Sequence, residues 1–311
     1  MNKKTFGAMR RRLIAVWLLS ALLLAALLPA ATAGAAGANA VCDTKYPVIL
    51  VHGAGFRDKN LFINYWGRIP GVLDDNGARI FYGNTDGWCS VENGAAALKA
   101  TVEKVLAQTG SAKVNIVAHS KGGTEARYMI SSLGMADKVA SLTTIATPHH
   151  GSKTMDVFLA MPNLLLRAVA IPADIIRWFW GDKRPDFLKG IQSLGTGYMK
   201  EFNKNNPDKS GVYYQSYAAA MQSPMSDIIM SWPNYVIKSL DGENDGMVTV
   251  ESAKWTNFRG VLRGAGSRGV SHLDEVDFRR SDVSIQKMDN GAETIRAFYV
   301  ALLADLKQKG Y

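Results

Sequence analysis

The chain has 311 residues, 47% of them hydrophobic and 20% charged, with a formal net charge of +9. That balance excludes a disordered polar tail and a multi-span membrane protein, and the length suffices for one large domain around a buried sheet. The charge would suit a nucleic-acid binder, but Lys3, Lys4, Arg10, Arg11 and Arg12 sit together at one end, and nothing beyond them forms a basic stripe.

After that basic end comes an apolar run over residues 13–31, then small residues ending in Ala38-Asn39-Ala40. A basic start, an apolar middle and an A-x-A site make residues 1–40 a secretory signal peptide, and the chain a secreted or periplasmic protein with a mature domain over 41–311. A retained anchor is the competing reading, because the run can just span a bilayer. The several small-residue sites favour cleavage. In an exported protein the two cysteines, Cys42 and Cys89, permit one disulfide. Cys42 precedes the first expected strand and Cys89 follows the second, so the pair is expected to meet at one end of a sheet.

The mature chain then alternates between two periodicities. Residues 47–51 (PVILV) form a continuous apolar run, the mark of a strand buried on both faces. Residues 79–82 (RIFY) are a second strand. Residues 92–108 place Leu98, Val102, Val105 and Leu106 at helical spacing. A third strand follows at 114–118 (VNIVA), a helix at 124–133, and further strands at 141–146 (SLTTIA) and 235–240 (YVIKSL). The closing helix covers 292–307. Strands alternating with helices predict an α/β fold with a mostly parallel sheet covered on both sides. Residues 151–222 break the rhythm: apolar residues crowd between Phe158 and Trp180, and Pro162, Pro172 and Pro185 are expected to cut them into short helices. Core packing is one explanation. A helical cap over an active site is the other.

Ala118-His119-Ser120-Lys121-Gly122-Gly123 lies between an expected buried strand and an expected helix. That is the setting of a nucleophile elbow, a tight strand–turn–helix presenting a serine hydroxyl at the sheet edge. Small residues must stand two positions either side of the serine, and Ala118 and Gly122 do. Serine needs a base, and the base needs an orienting carboxylate. Among five histidines, His272 comes late enough for the chain order Ser, acid, His. His119 is beside the serine and should point away from it, and His52 suits loop structure. For the acid, Asp245 in Glu243-Asn244-Asp245-Gly246 is preferred, with Asp241 as runner-up. The glycine-bearing His52-Gly53-Ala54-Gly55-Phe56 follows the first strand and can supply a backbone oxyanion donor, Ala54 first and Gly55 or Phe56 otherwise. The Lys121 N–H is its partner.

Together, residues 46–53 (YPVILVHG), 118–120 (AHS), 147–152 (TPHHGS), 244–246 (NDG) and 272–275 (HLDE) make the chain resemble the secreted bacterial triacylglycerol lipases of the Pseudomonas and Burkholderia type, in the α/β-hydrolase superfamily. The resemblance implies an α/β-hydrolase fold with a helical lid, Ser120 as nucleophile, Asp245 as acid, His272 as base, and Ala54 with Lys121 at the oxyanion hole. It implies ester hydrolysis with no cofactor for the chemistry. The family often holds a structural Ca²⁺ beside the catalytic histidine, which would make Asp274 a metal ligand, with Asp227 as a loose match for a second. Its partners would be a lipid or ester substrate at an oil–water interface and a dedicated folding chaperone. Phospholipase, polyester depolymerase and a non-catalytic binding module are the alternatives on the same frame. One departure is Ala118, where these lipases generally carry glycine.

Overall fold

The computed structural model describes residues 40–58, 64–179 and 181–311. The signal peptide expected over 1–40 thus lies, apart from Ala40, outside the described residues. So does Trp180.

Six strands form one sheet in the order β2-β1-β3-β4-β5-β6, every neighbouring pair parallel. They are β1 (Val48–Val51), β2 (Ile80–Tyr82), β3 (Val114–His119), β4 (Val139–Ile145), β5 (Tyr213–Ala220) and β6 (Phe258–Arg263). The continuous apolar runs of β1 and β3 have their cause in a core on each face. Val48 and Leu50 face one cluster, with Trp66 and the helix α10 (Ile295–Gln308), whereas Ile49 and Val51 face another, with the helix α2 (Val91–Thr109). Both helices are capped as their sequences dictate: Ser90 accepts from the Asn93 N–H, Gly110 closes α2 at φ 65°, and Thr294 accepts from the Ala297 N–H.

Four expectations need correcting. Residues 235–240 are not a strand but part of a helix, α8 (Ser231–Asp241). A short apolar run does not tell strand from helix, and here Ile237 is buried while Tyr235 is 68% exposed, the one-sided burial of a surface helix. The sheet instead takes β5 and β6. The YYQSYAAA of β5 lacks β-branched residues, so its pattern was silent, yet seven of its eight positions are buried. Because β5 lies inside 151–222, the helical insertion ends before Tyr213. Finally, Pro172 does not break the chain: it sits within α5 (Asn163–Phe179), exposed, where water can take the carbonyl that its missing N–H leaves free.

The fourth correction concerns the cysteines. Both are free and buried. In a parallel sheet a residue before one strand and a residue after its neighbour lie at opposite edges. Cys42, before β1, packs on α10 with its Sγ 3.6 Å from the Val300 carbonyl. Cys89, beyond β2, lies at the other edge, its Sγ 3.4 Å from Lys121 Nζ. Burial pushes both thiols up, to about 11 and about 12.

Candidate active site

The site is built on the edge where the strands end. Between β3 and the helix α3 (Lys121–Ser132), Ser120 adopts φ 54° and ψ −129°, a conformation that L-residues rarely hold. Its surroundings hold it there. The Ser120 N–H donates to the Ile145 carbonyl at 3.0 Å, and Thr147 Oγ1 donates to the Ser120 carbonyl at 2.9 Å. Small neighbours are obligatory: a Cβ on Gly122 would lie 2.5 Å from the His52 carbonyl oxygen, and one on Gly53 would lie 2.8 Å from Ser120 Cβ.

His272 Nε2 lies 3.0 Å from Ser120 Oγ, and His272 Nδ1 lies 2.8 Å from Asp245 Oδ2. The structure thus brings together the three residues singled out in the sequence. Two loops reach the serine by docking on the end of β5. The Met221 N–H donates to the Asn244 carbonyl at 2.9 Å, and the Val270 N–H to the Ala220 carbonyl at 2.9 Å. The His272 N–H then donates to the Asp245 carbonyl at 2.9 Å. The acid therefore follows a helical detour through α8 and returns to the strand it left. Asp241, the runner-up, ends α8. Asp245 is fully buried and its Oδ1 accepts the Met247 and Val248 N–H groups, both at 2.8 Å. Burial alone would raise its carboxyl, but the His272 charge and the hydrogen bonds outweigh that and hold it below the usual carboxylate range.

An apolar cavity of about 270 Å³ opens beside Ser120 and His272, walled by Ala54, Trp88, Met155, Leu194, Met230 and Met247 among others. Ala54 faces it from the loop that follows β1. Gly55, one of the alternatives, has its N–H engaged by the Gly87 carbonyl at 2.9 Å. Trp178 is 62% exposed and is not part of the cavity wall.

Behind the triad lies an array that the sequence reading did not foresee. His119 is buried, with Nδ1 2.6 Å from Tyr65 Oη and Nε2 3.0 Å from Glu275 Oε2. Burial, then the neighbouring His272 and His52 charges, push His119 well below its ordinary value. Burial and the Asp245 charge push Glu275 well above the usual carboxylate range. Both shifts favour the neutral forms. His119, His272 and Glu275 converge, but both ring nitrogens of His272 face triad partners, so this is a hydrogen-bond array and not a metal centre. His52 bridges its loop through the Gly53 and Thr85 carbonyls, at 2.8 and 3.0 Å. Beneath the elbow, the Lys121 ammonium pairs with Glu125 one helical turn on. Its signal in sequence is an i,i+4 charge pair in a helix that must be buried.

The expectation of calcium at Asp274 is not met by the geometry. A hard cation needs six or more oxygens with free lone pairs. Asp274 Oδ1 accepts from Arg268 Nη2 at 2.9 Å, and its Oδ2 faces the Ser271 N–H and Oγ at 3.1 and 2.9 Å. Asp227 does come alongside, but its Oδ1 accepts from Arg279 Nη2 and from the Ile229 and Met230 N–H groups. Both carboxylates are thus already engaged by the chain's own donors, an arginine on each.

A serine, a histidine and an aspartate on loops at the carboxyl edge of a parallel sheet define a hydrolase of the serine class. Residues 46–235, more than half of the chain, match the family described as the alpha/beta hydrolase fold, and the chain belongs to that family. Within it, the chain is similar to curated triacylglycerol lipases. It is 30% identical to that of Vibrio cholerae over 75% of this chain and 80% of the other. It is 42% identical to that of Pseudarthrobacter phenanthrenivorans and 40% identical to that of Burkholderia plantarii, each over 55% of this chain, which spans 56% and 50% of their respective lengths. Among solved structures it resembles the Staphylococcus hyicus lipase, at a TM-score of 0.65 and 15% identity over 86% of this chain and 98% of that one. The protein is accordingly a triacylglycerol lipase or esterase.

Proposed function

We propose that the protein hydrolyses lipid esters at an oil–water interface through a covalent acyl-enzyme, with Ser120, His272 and Asp245 as its triad. The observation that carries this is the pair of contacts on His272, 3.0 Å to Ser120 Oγ and 2.8 Å to Asp245 Oδ2. Ser120 Oγ attacks the ester carbonyl carbon while its proton passes to His272 Nε2. Asp245 holds the imidazole in the tautomer that can accept it and stabilises the imidazolium. The Ala54 and Lys121 N–H groups receive the negative oxygen. Collapse expels the alcohol, which takes the proton from His272, and a water molecule repeats the sequence on the acyl group.

The apolar cavity suits an acyl chain. The exposed apolar residues of α5, with Leu164 at 81% and Trp178 at 62%, suit contact with an oil surface. Residues 1–40 direct export on this reading, and α5 serves as the lid. The test compares hydrolysis of esters of increasing acyl length, soluble and emulsified, together with labelling of Ser120 by a serine-reactive phosphonate. A lipase gains activity sharply once droplets form. An esterase, favoured by the compact cavity, would work best on short soluble esters. No labelling would overturn both.

A further inference from the structure

Ser271 and Asp274 bracket His272, and the Ser271 hydroxyl reaches both Asp274 and Asp227, the latter 44 residues away in sequence. Ser271 Oγ lies 2.6 Å from Asp227 Oδ2 and 2.9 Å from Asp274 Oδ2. A hydroxyl has one proton and donates to one acceptor at a time. Two carboxylates, each with its side chain fully buried, therefore face each other across a single oxygen. Two anions so placed repel and must be compensated by positive charge.

The chain supplies that charge itself. Arg279 Nη2 sits 2.5 Å from Asp227 Oδ1, and Arg268 Nη2 sits 2.9 Å from Asp274 Oδ1. Two negative and two positive charges close the cluster at neutrality. Arg268 Nε also donates to the Ser226 carbonyl at 2.9 Å, so the guanidinium ties the histidine loop to the segment that carries Asp227. That segment leads directly to Met230 in the cavity wall.

We propose that Arg268 and Arg279 are positioning residues that take the place of a structural divalent cation, holding the His272 loop against the Asp227 segment so that the catalytic imidazole keeps its register without metal. A guanidinium is planar, always charged and covalently part of the chain. It neutralises the same two carboxylates that a cation would bridge, and no chelator removes it. This rests on the reading of His272 as the catalytic base.

The test uses the full-length protein, dialysed against EDTA, and reads kcat, KM, melting temperature and the heat of Ca²⁺ binding. The wild type is expected to keep its kcat and melting temperature in EDTA and to give no calcium heat. Arg268→Gln with Arg279→Gln leaves two uncompensated carboxylates. Its kcat on a soluble ester should fall on the order of 100-fold with KM nearly unchanged, the signature of a misplaced catalytic group. Millimolar Ca²⁺ should restore most of the loss and raise the melting temperature. Lysine at both positions returns the charge and should rescue activity in EDTA. If the glutamine variant folds only when Ca²⁺ is supplied, its refolding yield gives the same answer. Loss of wild-type activity or stability in EDTA, regained with Ca²⁺, would overturn the proposal. So would a double variant as active as the wild type, or one that Ca²⁺ does not help. Melting temperature and calcium heat need no turnover, so a protein inactive on every ester would refute the role of His272 while these readouts still decide the place of the arginines.

Discussion

The elbow and helix α5 are both rich in small and apolar residues, and they do opposite things with them. Every residue of β3 is buried, and so are the first seven residues of α3. In α5, Leu166 and Ala170 are buried, whereas Leu164, Ile171, Ile175, Ile176 and Trp178 face outward. The first region is fixed from all sides and can store the strain of Ser120. The second leaves apolar area exposed at a cost of about 25 cal/mol per Å², which is the basis for proposing it as a contact surface. Composition alone does not separate a core from a contact surface. What surrounds each residue does.

The sharpest way to break this contrast is at the elbow. Ser120→Ala is expected to lower kcat by a factor on the order of 10⁶ while leaving the melting temperature essentially unchanged. Activity on a soluble ester within a factor of about 100 of wild type would remove the serine from its role. Asp245→Asn should lower kcat by about 10⁴, because the amide holds the wrong tautomer and cannot stabilise the imidazolium. A larger loss from Asp241→Asn would transfer the acid's role to that residue.

These predictions concern residues that were legible without coordinates, and the reason is local. An elbow is a contiguous pattern, and chain order narrows the choice of base and acid. What the pattern could not carry was the framework beneath it. Residues 235–240 have the apolar content of a strand, and only the one-sided burial of α8 shows otherwise. The alanine-rich β5 looks like nothing in particular, yet both the acid and the histidine loops hang from its end. The disulfide expectation placed the cysteines correctly along the chain but at the wrong edges of the sheet. The partners of Asp227, Asp274 and His119 are likewise set by tertiary contacts alone.

A smaller effect sharpens the comparison in terms of stability. Gly122→Ala drives a Cβ to 2.5 Å from one backbone oxygen and 2.7 Å from another, and should destabilise by about 3 kcal/mol, read from denaturant melts. Wild-type stability in this variant would mean that the elbow can relax. Glu275→Gln tests the array behind the triad. Glu275 holds its proton far above the value of 4.5 at which it ionises in the unfolded chain. The native state therefore binds more protons than the unfolded state above that pH, and stability declines as pH rises. The glutamine needs no proton, so its stability relative to wild type should grow as pH rises above 4.5. A pH-independent difference would contradict a neutral Glu275. Smallest of all, Trp178→Ser should change stability by less than about 0.5 kcal/mol and leave a soluble ester untouched, while blunting any gain on emulsified substrate. Equal losses on both substrates would make α5 ordinary core.

The contact between Ser120 and His272 joins residues 152 positions apart, on connections that leave two different strands, β3 and β6, of an all-parallel sheet. Closing such a span gives up chain entropy before any contact rewards it, and parallel pairing is intrinsically slow. β5 must be in place before either the acid or the histidine loop has anything to dock on. A chain with most of its helices formed would still be without a working imidazole. Regain of catalysis on refolding therefore marks the end of assembly, and helical content is an early and poor proxy for the functional enzyme.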